Sequence, residues 1–196
     1  MNKARTHIRP GETPFLAAIR HMLRDIEATL PASFSGVVAC YIVGGAAVHM
    51  HVGSRVSDDL DAVFRPPILL RETPTVTYHD GQHGTAGLAL DRNYTDVLAM
   101  MHPDWEDDAW YWEAIGRLRV LVISPIDLAV SKVVRFADND VLDISQLAMA
   151  GLIAADDFAA RCAEAIDYYV GDLTFVRMNV ATAADLIRQC TPTPTP

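Results

Sequence analysis

Tyr41-Ile42-Val43-Gly44-Gly45-Ala46-Ala47-Val48-His49-Met50-His51-Val52-Gly53-Ser54-Arg55-Val56-Ser57-Asp58-Asp59-Leu60-Asp61-Ala62-Val63-Phe64 is the stretch whose reading decides the fold. It enters through residues 36–43, a short apolar run rich in β-branched side chains that suits a buried strand better than a helix. Gly44-Gly45 breaks that strand. Residues 46–52 are compact and read as a short helix, residues 53–56 as a turn, and residues 59–64 alternate acidic or small with apolar side chains, as a strand does. The order is therefore strand, glycine turn, short helix, strand.

Outward from this stretch, the apolar positions Phe15, Leu16, Ile19, Met22, Leu23, Ile26 and Leu30 recur at spacings of three and four, predicting a helix over residues 14–30 that Pro31 ends. Further strands are expected at 74–78, 85–90, 95–100 and 118–123, so the middle of the chain is β-rich. Ser124-Pro125-Ile126-Asp127 is a helix-start signal: serine can cap, proline fits the first helical position and the acid suits the positive helix end. Helices follow at 125–136, 141–150, 155–170 and 172–188, and residues 191–196 read as a disordered tail. The expected architecture is α+β, a mixed sheet flanked by helices. It divides into a core at 1–124, a helical region at 125–190 packed on it, and the tail.

The chain has 196 residues and three widely spaced cysteines, Cys40, Cys162 and Cys190, an odd number that cannot close a disulfide framework within one chain. No apolar run reaches a membrane span and no signal segment follows the N-terminus, so a cytoplasmic protein is expected. A formal net charge of −9 argues against broad electrostatic adhesion to nucleic acid.

The quoted stretch resembles the core motif of the nucleotidyltransferase (DNA polymerase β-like) superfamily, in which a Gly-Gly or Gly-Ser pair follows the first strand and an Asp-x-Asp pair lies on the next. It is most similar to the bacterial families related to AbiEii toxins and DUF6036, whose Gly-Gly and Ser-x-Asp-Leu-Asp pattern matches Gly44, Gly45, Ser57, Asp59, Leu60 and Asp61. The resemblance implies transfer of a nucleoside monophosphate from a nucleoside triphosphate to a hydroxyl on RNA, protein or a small molecule. Pyrophosphate is released, and a role in toxin–antitoxin or phage-defence systems is implied. The alternative is a catalytically weak relative acting through a protein partner such as a cognate antitoxin.

The spacing has a physical reason of its own. Residues two apart on a strand share a face, so Asp59 and Asp61 project together while Leu60 turns into the core. Paired carboxylates with triphosphate oxygens form the hard oxygen set that suits Mg²⁺ or Mn²⁺. Gly44 and Gly45 let backbone approach phosphate, and the helix N-terminus behind them favours an anion. The resemblance implies phosphate contacts for Gly44, Gly45 and Ser57, and a third carboxylate on a later strand. Asp96 in Tyr94-Thr95-Asp96-Val97-Leu98 is the favoured position and Asp91 competes; either reads equally as a turn residue. One departure is Gly45, which stands where Gly-Ser versions carry a phosphate-binding hydroxyl.

Residues 120–132 also resemble these families, in which a strand leads through Ser-Pro-x-Asp-Leu into a lysine-bearing helix. Lys132 and Arg135, three apart on one helix face, are the implied triphosphate contacts; for Arg135 a salt bridge to Asp138 or Asp140 is an equal alternative. His49 and His51 sit roughly 200° apart around a helix and cannot easily share a metal, so both are read as structural or surface polar groups. The acids after His102 read as the first turn of a helix, and Trp105, Trp110 and Trp112 as core or interface.

Overall fold

The computed structural model describes residues 6–81 and 84–190; the expected tail at 191–196 lies outside the described residues. The architecture is mixed α+β, as expected, and the chain forms two compact units, one drawn from residues 1–94 and 109–123, the other from 95–108 and 124–196. The second unit thus takes in residues 95–108, which the sequence groups with the core.

In the first unit β1 (Val38–Ile42) is an inner strand, paired on both edges, with every residue but Ala39 buried. It pairs antiparallel with β3 (Ala62–Arg65) and parallel with β7 (Leu118–Val122), which in turn pairs antiparallel with β6 (Trp110–Ile115). A second sheet has the order β2 (Asp59–Leu60), β5 (Gly84–Leu90), β4 (Thr75–Asp80), with β2 parallel to β5. Helix α1 (Pro14–Ala28) starts with Thr13 Oγ1 accepting from Leu16 N (3.2 Å) and Pro14 at its first position. It buries the predicted apolar face against β4 and β6. Past its end, Arg117 donates to the carbonyls of Leu30 and Pro31 and to Glu27 Oε1 (2.7 Å), tying the helix terminus to the β6–β7 turn. Helix α2 (Gly44–Val52) ends at Gly53, whose φ of +68° is the left-handed conformation glycine adopts without a Cβ penalty.

The strand expected at 59–64 is split. Its first residues bond to β5, Asp61 belongs to neither ladder, and from Ala62 onward the chain pairs with β1. The strand expected at 95–100 is absent: Thr95 Oγ1 accepts from Val97 N (3.3 Å) and caps a 3-10 turn at Asp96–Leu98, a local bond that competes with strand pairing. The acids after His102 do form a single turn, α3 (Trp105–Asp108), but the following aromatics enter β6, a strand the acidic context concealed. Trp105 and Trp112 are buried, matching their core reading.

The second unit is helical: α4 (Pro125–Lys132), α5 (Asp138–Met149), α6 (Ala155–Ile166) and α7 (Leu173–Cys190), with α7 against α5 and α6. Ser124 caps α4 as its sequence predicts, its Oγ accepting from Asp127 N and donating to Asp127 Oδ2 (2.7 Å). Arg161 then holds the buried Asp127 carboxylate through two contacts of 2.7 and 2.9 Å. No helix among the described residues is long and apolar enough to cross a membrane.

His51 lies on α2, with Nε2 2.8 Å from Ile123 O and its ring edge-on to Trp110. A carbonyl only accepts, so Nε2 carries the proton. Burial pushes the ring's pKa down to about 4. Between the ordinary histidine value and about 4 the unfolded chain binds a proton that the folded one refuses, so stability falls as pH drops through that window, by up to about 1.4 kcal/mol per pH unit. Denaturant titrations at pH 6.5 and 4.5 should show this loss, and His51→Phe should flatten it.

Candidate active site on the first unit

The site is built where α2 begins. Val43 N donates to Asp61 O (3.1 Å), drawing the end of β1 against the junction between β2 and β3. Gly44 follows with φ +59°, and a Cβ placed there would overlap Asp61 Oδ2 and stand 2.9 Å from its Cγ. Only glycine fits, on both conformation and space. The Asp61 carboxylate therefore rests directly over the glycine that opens the helix, at the end where backbone N–H groups have no intrahelical partners. Asp59 is exposed, Leu60 fully buried and Asp61 half-buried, the alternation expected of an extended segment.

Gly45 is constrained by space alone, and less tightly. Its missing side chain would meet Arg55 Nη1 and Ser57 Cβ at 3.2 Å and Ser57 Oγ at 3.3 Å. The space a serine would use in the Gly-Ser versions is thus occupied by a hydroxyl and a guanidinium from the loop after α2. Ser57 was among the expected phosphate contacts. Arg55 was not, and its signal, a cation two residues before that serine, carries no periodicity to mark it. The same loop is held by His49, whose Nδ1 lies 3.2 Å from Arg55 O and Nε2 3.0 Å from Thr13 Oγ1. Beside them opens a cavity of about 450 Å³ bounded by Thr13, Phe15, His49, Arg55, Tyr78 and Asp80. Burial, then the charges of Asp80 and Asp58, raise the Tyr78 phenol above its ordinary value. Both α2 histidines prove structural, each engaged with a backbone carbonyl.

The two third-carboxylate candidates are placed differently. Asp91 follows β5 directly, and its N–H donates to Leu60 O (3.0 Å). That bond ties the start of the turn after β5 to Leu60, the residue before Asp61, just past the end of the β2–β5 ladder. Its Oδ1 accepts from Asn93 N (2.8 Å), the turn role also foreseen. Asp96 sits in the 3-10 turn of the second unit, not on a strand. Among the described residues no three His, Cys, Asp or Glu side chains converge as a ready-made metal cage. Magnesium does not require one: it is commonly held by one or two carboxylates with phosphate oxygens and water. Asp59 and Asp61, hard oxygen donors beside a glycine cradle, fit that donor set.

In the second unit Lys132 is buried, with Nζ 2.7 Å from Asp143 Oδ2 and 3.5 Å from Asp140 Oδ1. Arg135 grips Asp140 with two contacts of 2.7 Å, the salt-bridge alternative, while most of its own side chain is exposed. Burial raises the Asp140 carboxyl, but the Arg135 hydrogen bonds and the Lys132 charge overcome it and hold the pKa below the ordinary value. A phosphate contact from Lys132 would have to break a buried ion pair, a cost of about 3–5 kcal/mol.

Two stability outcomes follow from these placements. Gly44→Ala should cost more than the roughly 1–2 kcal/mol of left-handed strain, and Asp61→Ala in the same chain should recover the excess, as read by denaturant unfolding. Asp143→Asn should lose up to about 3–5 kcal/mol by leaving the buried Lys132 charge with only the longer Asp140 contact, whereas Lys132→Met with Asp143→Leu should restore most of it.

A family model described as nucleotidyltransferase of unknown function (DUF6036) matches residues 21–183. No curated protein and no solved structure matches the chain. The matched span takes in the glycine pair, Arg55, Ser57 and every candidate carboxylate, and leaves Thr13 outside. With most of its length under that model and its glycine turn seated against Asp61, the chain belongs to the DUF6036 family of nucleotidyltransferases.

Proposed function

We propose that this protein transfers a nucleoside monophosphate from a nucleoside triphosphate to the hydroxyl of an acceptor, releasing pyrophosphate. The observation that carries the reading is the seating of the Asp61 carboxylate over Gly44, with Ser57 and Arg55 over Gly45. A carboxylate and anion-binding groups thereby flank one helix start, an arrangement that supports binding of a polyphosphate through a cation.

In this reading Gly44 and Gly45 admit the phosphates to the backbone, and Ser57 supplies the hydroxyl that Gly45 lacks. Arg55 neutralises the distal phosphates, a geometry guanidinium suits better than ammonium. Asp59 and Asp61 would hold Mg²⁺ or Mn²⁺, which when bound supplies charge neutralisation of the phosphates and of the departing pyrophosphate. The acceptor oxygen forms a bond to the α-phosphorus as the bond from that phosphorus to the bridging oxygen breaks, and the acceptor proton passes to a carboxylate or water. Asp91, whose N–H bonds to the carbonyl of Leu60 next to Asp61, is the third carboxylate this reading favours on this unit. Asp96 would serve only from the 3-10 turn. Lys132 acts within its ion network, and Arg135 is exposed enough to meet a phosphate while still bonded to Asp140. The acceptor classes remain RNA, protein or a small molecule.

A second reading is a nucleotidyltransferase-like protein that works by binding a protein partner, such as an antitoxin. It is favoured by Tyr168, Val170, Phe175 and Met178, apolar or aromatic side chains that are 66%, 95%, 64% and 58% exposed within eleven residues of the second unit.

Incubation with each α-labelled nucleoside triphosphate, Mg²⁺ or Mn²⁺ and bacterial RNA or lysate tests the first reading. Transfer should occur with the wild type and fall by about 10³-fold or more in Asp59→Ala and Asp61→Ala while far-UV dichroism is retained. Asp91→Asn should be far more damaging than Asp96→Asn. Absence of transfer and of Mg²⁺-dependent nucleotide binding in the folded wild type would transfer the weight to the partner reading.

A further inference from the structure

The loop that carries Arg55 has no regular structure from residue 53 to residue 58, yet its guanidinium must stand at the glycine turn to serve a phosphate. The hydrogen bonds around His49 show how it is held. Arg55 O can only accept, so His49 Nδ1 carries the ring proton; the neutral ring then leaves Nε2 as an acceptor, and Thr13 must donate its hydroxyl hydrogen to it. Thr13 Oγ1 in turn accepts from Leu16 N, the first-turn bond of α1. The direction of the whole chain is thereby settled: Leu16 N–H to Thr13, Thr13 O–H to His49, His49 N–H to Arg55 O. Phe15 packs edge-on against the imidazole at 5.0 Å and 74°, which fixes the ring plane. Burial holds the ring below its ordinary pKa, in the neutral form this chain of donors needs.

The cavity alongside explains why such a hold is useful. About 450 Å³ opens next to the loop, with Arg55 itself and the Asp80 carboxylate on its wall, so the loop is not packed against protein on that side. A loop free to move into that space would bind triphosphate through only a fraction of its population.

We propose that Thr13 and His49 are positioning residues that keep Arg55 at the phosphate turn, so that the capped start of α1 sets affinity for the polyphosphate part of the nucleotide. The proposal rests on the nucleotidyltransferase reading and adds to it two residues that touch no substrate, one of them outside the span matched by the family model.

Calorimetry with a nucleoside triphosphate and with the matching monophosphate, both with Mg²⁺, separates this role from a merely structural one. His49→Leu should weaken the triphosphate about tenfold, the scale of one net hydrogen bond, and leave the monophosphate unchanged. His49→Asn, whose amide nitrogen stands near the position of Nδ1, should recover most of the loss. In a double-mutant cycle His49→Leu should add little to Arg55→Ala, because both act through the same guanidinium. Should His49→Leu fail to fold, Thr13→Val carries the same expectation with a smaller loss. Equal weakening of both nucleotides, full additivity with Arg55→Ala, or no weakening at all would overturn the positioning role while leaving the wild type a nucleotide binder. A folded wild type that binds no triphosphate would overturn both the role and the reading beneath it.

Discussion

The hydrogen bond from Val43 N to Asp61 O, 3.1 Å long, is the contact on which the candidate site depends. It joins the end of β1 to the one residue of the acidic segment that lies between two ladders, and it brings the first residue of α2 under the Asp61 carboxylate. Everything nearby is then forced. Gly44 must lack a side chain and adopt a positive φ, Gly45 must leave room for Arg55 and Ser57, and the acid that alternates with Leu60 is left on the outer side. A strand running uninterrupted from 59 to 64 would have kept its bonds within one sheet; the switch at Asp61 lets one carboxylate ride on β5 and the other meet the turn.

The two histidines of α2 serve the same end from different sides of the helix. Their two-residue spacing, which forbids a shared metal, lets each reach a separate segment: His49 the Arg55 carbonyl, His51 the Ile123 carbonyl at the end of β7. Both rings are kept neutral by burial, and both use the donor tautomer that a carbonyl demands. A helix of nine residues, too short to be stable alone, is thereby anchored along its length. In the second unit the comparable anchoring is ionic, with Lys132, Asp140, Asp143 and Arg135 forming one network and Arg161 closing on Asp127 and Asp108 another.

Where the sequence could be read, the reason was local. The i, i+3, i+4 apolar pattern of α1, the Ser-Pro-x-Asp start of α4 and the apolar run of β1 each state their own structure, because periodicity and capping act within a few residues. Where it could not, a competing bond decided. Thr95 gave its hydroxyl to a turn and removed the strand expected around Asp96. The acids before Trp110 formed their helical turn but concealed β6, whose pairing depends on β7 through the Gly116 turn. Asp91 looked no better than Asp96 until its backbone bond to Leu60 tied it to the segment that carries Asp61.

The sequence by itself therefore determined the elements with local signals, the family and the glycine and acidic residues around which the site is built, since those depend on spacing along the chain. Tertiary structure alone decided which residues stand with them. Arg55 arrives at Gly45 because a loop is pinned to His49; Lys132 is buried among carboxylates because α4 and α5 pack together. Those placements follow from hydrogen bonds and ion pairs between residues six to thirty-six positions apart, set by tertiary packing rather than by any periodic pattern.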